Sequence, residues 1–82
     1  MSKRDKAIER LRQNPKAVRF EDIDSLLLSF GFEKRQKGSH ATYILKNHRP
    51  ITIPSRKPFI LPVYVKNVLQ LLDEIDQLTE GA

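Results

Sequence analysis

The sequence predicts an α+β domain in which helices pack on one face of a three-stranded antiparallel sheet, in the order α-α-β-β-β-α. Three observations carry that expectation. Ile23, Leu26, Leu27 and Phe30 fall at i, i+3, i+4 and i+7, one apolar helix face that Gly31 closes as a left-handed C-cap. Period-two alternation follows, interrupted by the turn residues Gly38-Ser39 and Asn47-His48. From Leu61 onward the helical period returns, with Leu61, Val65, Val68, Leu72 and Ile75 in one stripe.

The first element is a helix from Ser2 to Gln13, whose apolar side holds only Ile8 and Leu11, too narrow for a fully packed helix. Asn14-Pro15 stops it. Residues 1–17 therefore read as a basic N-terminal helical arm on a domain of residues 18–82. The second helix runs from about Glu21 to Phe30, with Glu21, Asp22 and Asp24 in its first turn, where the helix dipole favours negative charge. Phe32 to Lys37 and His40 to Lys46 are strands joined by a hairpin turn at Gly38-Ser39. In the second strand Ala41, Tyr43 and Leu45 alternate with His40, Thr42 and Ile44. Arg49 to Pro54 is the third strand, with Pro50 at its start or edge, because proline cannot donate to a ladder. A basic loop from Ser55 to Ile60 leads to the last helix, which starts near Pro62 and frays by Gly81. The expected core is Leu26, Leu27, Phe30, Ile51, Ile53, Val65, Val68 and Leu72, with either Tyr43 or Ile44 from the middle strand.

At 82 residues the chain is one domain with a thin core. No cysteine is present, so no disulfide and no thiolate metal site can reinforce it, and the composition fits a reducing cytosol. No apolar stretch follows Lys3 and Arg4, and the longest apolar runs are too short to cross a bilayer. The expectation is a soluble, cytoplasmic protein without a membrane partner.

The net charge of +5 is unevenly placed. From Lys34 to Lys57 the bases are Lys34, Arg35, Lys37, Lys46, Arg49, Arg56 and Lys57, with no acid among them. A run of one sign sets up a field that attracts polyanions. The plainer alternative is a solvated basic face, but an acid-free run of this length favours a phosphate-binding surface.

Within that run stands Lys34-Arg35-Gln36-Lys37-Gly38-Ser39-His40. An imidazole directly after a tight turn, among cations, is held near whatever anion they attract, and it can take or give a proton near neutral pH. RNA carries its own nucleophile, the 2′-hydroxyl, beside each phosphate, so one base and a few cations suffice for cleavage. A polar strand residue that only hydrogen-bonds a phosphate would look the same, and the residues alone leave both roles open for His40. His48 sits in a polar turn and reads as solvated. Two histidines without cysteine or clustered carboxylates make a poor metal site. No glycine-rich phosphate loop, nucleophile elbow or acid pair is present, so neither metal nor cofactor is expected.

The α-β-β-β-α order is that of double-stranded RNA-binding domains. More specifically, the helix ending in Gly31-Phe32, then Arg35-Gln36-Lys37-Gly38-Ser39-His40, then Ile51-Thr52-Ile53-Pro54 resembles the HicA-type mRNA interferase toxins, over about residues 18–75. The resemblance implies a double-stranded RNA-binding-domain-like fold and a metal-independent endoribonuclease acting on mRNA. It also implies a type II toxin–antitoxin system in which a HicB-type antitoxin neutralises the toxin. By position it makes His40 the catalytic residue and Gly38-Ser39 its turn. Lys34, Arg35, Lys37, Ser39, Arg56 and Lys57 are the candidate RNA contacts. Many relatives carry a second histidine just after the third-strand proline, where this chain has Ser55-Arg56-Lys57, and enter the last helix through Gly-Thr-Leu, where it has Leu61-Pro62-Val63.

Overall fold

The computed structural model describes the backbone of residues 3–80 and the side-chain surroundings of residues 4–75. Its elements are α1 (Lys3–Gln13), a 3₁₀ turn (Pro15–Ala17), α2 (Phe20–Ser29), β1 (Glu33–Lys37), β2 (His40–Ile44), β3 (Ile51–Pro54) and α3 (Pro62–Glu80). The expected α+β class and the expected order of elements are both present. Ser2 as the helix start and fraying at Gly81 fall outside the described residues.

The start of α2 is held by the Asp22 carboxylate, which accepts the Arg19 backbone N–H at 3.1 Å. This is half of a capping box, since an arginine side chain has no acceptor to return. At the other end Gly31 has φ 93°. The Gly31 N–H donates to the Leu28 carbonyl at 3.0 Å and the Phe32 N–H to the Leu27 carbonyl at 3.2 Å. Those two bonds are the Schellman pattern, and Phe32 is buried behind it. The chain therefore leaves α2 in a fixed direction and enters β1 one residue later.

The sheet order is β1-β2-β3, all antiparallel. Ala41 and Tyr43 of β2 and Ile51 and Ile53 of β3 are buried with Ile23, Leu26 and Leu27 of α2 and Val65, Val68, Leu71 and Leu72 of α3. Period-two alternation leaves His40, Thr42 and Ile44 on the opposite, open face. Tyr43, not Ile44, is thus the middle strand's core residue.

Three core expectations change. Phe30 is half-buried at the end of α2, with the Arg4 guanidinium 4.9 Å from its ring centroid. Leu61 is 41% exposed, because α3 begins only at Pro62 and the residue that turns inward before it is Ile60. The Ile60 N–H also donates to the Val18 carbonyl at 2.9 Å, which locks that orientation. The α3 stripe is wider than expected, since Leu71 is buried beside Leu72. The first helix packs on the body: Leu11 is buried in the same core, Ala7 and Ile8 lie against it, and Arg12 pairs with Asp73 of α3. A narrow stripe suffices because α1 meets both α2 and α3 and builds no layer of its own. No helix of the described residues is long and apolar enough to cross a membrane.

Candidate functional site

The β1–β2 hairpin turns on two residues, Gly38 and Ser39. Gly38 has φ 61°, the value a primed turn with glycine at its first central position requires. A Cβ on Gly38 would meet no atom within 4 Å, so glycine is there for its backbone angle and not for want of space. The turn sets the register: Lys37 is opposite His40, and His40 is opposite Pro54 on the other side. Directly opposed residues share a face with Cβ atoms about 5 Å apart. The same register places Arg35 opposite Thr42, and Thr42 opposite Thr52, whose hydroxyls are 3.0 Å apart. The open face therefore carries Arg35, Lys37, His40, Thr42 and Thr52 together. His40 is exposed, and its ring makes no hydrogen bond among the described residues.

Ser55 ties the next segment to this turn. Its backbone N–H and its hydroxyl both donate to the Ser39 carbonyl, at 2.7 and 3.0 Å. The Arg56 N–H donates back to the Pro54 carbonyl at 2.9 Å. The exposed residues Arg56 and Lys57 thus start from a backbone anchored beside the residue that precedes His40. Nothing in the sequence singled out Ser55, apart from its place after Pro54.

Lys34 is separated from the others. It lies opposite Tyr43, on the helix side, with Nζ 2.8 Å from Asp24 and 5.5 Å from the Phe20 ring centroid. Asp24 also accepts the Tyr43 hydroxyl at 2.6 Å. Burial works to raise the Asp24 carboxyl, but hydrogen bonds from Lys34 and Tyr43 and the lysine charge outweigh it, leaving the group below its ordinary value. Burial, then the hydrogen bond and charge of Asp24, push the Tyr43 hydroxyl well above its ordinary range. This triad fastens β1 and β2 to α2. Sequence reasoning missed it, because its members are far apart in the chain.

Two other members of the acid-free run meet acids from outside it: Arg35 lies 3.6 Å from Glu33, and Arg49 pairs with Glu74 of α3. Lys37, Lys46, Arg56 and Lys57 form no ion pair among the described residues. Of the sequence-predicted residues, the structure gathers Lys37, Gly38, Ser39 and His40 at one end of the sheet, with Arg35 farther along β1. It ties Ser55, and with it the Arg56-Lys57 segment, to the same end. His48 lies in the β2–β3 turn, its N–H donating to the Leu45 carbonyl. A proton-transfer group beside uncommitted cations, on an open face, can hold a phosphodiester and act on it.

Residues 20–73 match the family described as the HicA toxin of bacterial toxin–antitoxin systems. No curated protein and no solved structure matches the chain. The family match starts at the first residue of α2 and ends within α3. It spans well over half of the chain and takes in all three strands and the turn before His40, so the chain belongs to the HicA toxin family.

Proposed function

We propose that this toxin is a metal-independent endoribonuclease that cleaves mRNA in the cytoplasm, with His40 as its catalytic residue. One observation carries the proposal: His40 is exposed on the open sheet face, opposite Lys37 and directly after the turn to which the Arg56-Lys57 segment is tied. In the reaction the 2′-oxygen attacks the adjacent phosphorus and the bond to the 5′-oxygen breaks. The products are a 2′,3′-cyclic phosphate and a 5′-hydroxyl. His40 accepts the 2′-proton as general base or supplies one to the departing oxygen as general acid. Arg35, Lys37, Arg56 and Lys57 hold the phosphates and offset the charge that develops, while Gly38 and Ser39 set the turn. Lys34 serves indirectly, by fastening β1 to α2 through Asp24. The substrate brings its own nucleophile, so the chemistry needs no metal. An antitoxin of the HicB type, presenting acids to this face, would occlude it.

Labelled mRNA incubated with the protein in EDTA tests the proposal. Wild type should cleave and His40→Ala should not, while both bind. A second reading, a non-catalytic RNA-binding module, draws on the lack of any described group that orients the His40 ring. Salt-sensitive binding by wild type without cleavage would select it.

A further inference from the structure

Four large apolar side chains stand more than a third exposed among the described residues, and three lie within five positions: Phe59 at 38%, Leu61 at 41% and Val63 at 56%. Their exposure is built in. Ile60, between the first two, is 2% exposed, and its N–H is bound to the Val18 carbonyl. Side chain and backbone thus pin the segment at Ile60, and in non-helical chain the neighbours of an inward residue face outward. Pro58 and Pro62 bracket the segment and fix φ at either end. Little conformational freedom remains to be lost when a partner binds.

The surroundings are basic. Arg56 and Lys57 precede the segment, and Lys66 stands exposed one turn into α3, three residues after Val63. A phosphate backbone gains nothing from Phe59, Leu61 and Val63, whereas a protein with an apolar pocket does. The cations select an acidic rim around that pocket. They also disfavour a second copy of this chain, since a two-fold contact would set Arg56, Lys57 and Lys66 against their own counterparts.

We propose that residues 58–63 are the docking knuckle for the protein antitoxin, whose matching surface is an apolar pocket edged by Asp and Glu. Phe59 is three residues from Arg56, about 10 Å at full extension. A partner seated on the knuckle overhangs the basic loop and, through the Ser55–Ser39 tie, the turn before His40. It blocks access to the open face. The inference rests on family membership and the exposed segment, and it holds whether or not the chain cleaves RNA.

The probe is the protein encoded by the adjacent reading frame, titrated against the purified chain. Phe59→Ser/Leu61→Ser should weaken the complex about thirtyfold or more, with melting temperature and RNA affinity unchanged. Lys66→Glu leaves the apolar side chains in place and should weaken it about tenfold, so a folding defect in the double variant would not decide the matter. Full affinity in Lys66→Glu together with either full affinity or unfolding of the double variant overturns the proposal, as does the absence of any complex with wild type. Loss of RNA affinity with the partner affinity intact would give the knuckle to RNA. A wild-type dimer that the double variant dissociates would give it to a second copy. Either outcome also overturns the proposal. A wild type that fails to cleave RNA while the variants still lose the partner removes the ribonuclease reading and leaves this one standing.

Discussion

Within the five residues of β2, neighbours occupy opposite environments. Ala41 and Tyr43 are sealed between the sheet and the helices, whereas His40 and Thr42 look out from the open face. The contrast extends to charge. On the covered face Lys34, Asp24 and Tyr43 satisfy one another, and on the open face Lys37 and His40 stand opposed with no acid between them. Alternation lets one short strand hold the fold with one set of side chains and present chemistry with the other. Stability and activity should then respond to different substitutions in the same strand.

The largest expected effect is on the open face. His40→Ala should lower cleavage by about two to four decades, the usual worth of a proton-transfer group. Its melting curve should stay within about 0.5 kcal/mol of wild type, as for other exposed substitutions. A cooperative loss of structure in that variant would break the comparison outright. Tyr43→Ala, three residues on, should do the reverse. It removes a fully buried aromatic side chain and should cost about 3–5 kcal/mol in denaturant unfolding. Tyr43→Phe keeps the packing and removes only the hydroxyl bonded to Asp24, which should cost about 1–2 kcal/mol.

Acid should sharpen the contrast further. Asp24 is more acidic in the folded chain than its ordinary 3.8, so its contribution to stability is complete above that value and is lost as pH falls through the depressed one. Thermal unfolding from pH 6 down to pH 2 should show this loss in wild type and less of it in Asp24→Asn. Equal acid sensitivity would mean that the triad holds nothing. The smallest effects concern salt. Lys37→Ala and Arg56→Ala should each reduce the slope of log affinity for RNA against log salt by about one, while Lys34→Ala should leave it nearly unchanged. His48→Ala should alter neither cleavage nor binding.

Much of this division is legible in the residues, and what is not has a physical cause. The α2 stripe, its closure at Gly31 and the hairpin at Gly38-Ser39 are local signals, and each is present in the fold. The opposite fates of Lys34 and Lys37 are not legible from composition. Charge counting treats them alike, whereas strand parity and the distant Asp24 separate them. Pro62 marks the start of α3 in the sequence, as the fold has it, yet the apolar stripe runs one residue further back, to Leu61, which lies outside the helix. Ile60 is missed because a backbone bond to the distant Val18 turns it inward, and no local pattern shows that. The Ser55 clamp depends on two segments meeting at the end of a sheet. No pattern along the chain announces it.

The burial of Leu11 and Val18 has one more consequence. Both lie outside residues 20–73, the stretch shared with the family, yet they belong to the same hydrophobic cluster as Ile53 and Val68. The stretch that matches the family and the stretch that builds the core are therefore different lengths of chain. A version begun at Phe20 would keep every residue assigned to RNA and still lose the Arg12–Asp73 pair, the Val18 carbonyl that pins Ile60, and two buried core side chains. Such a trimmed chain should aggregate on expression.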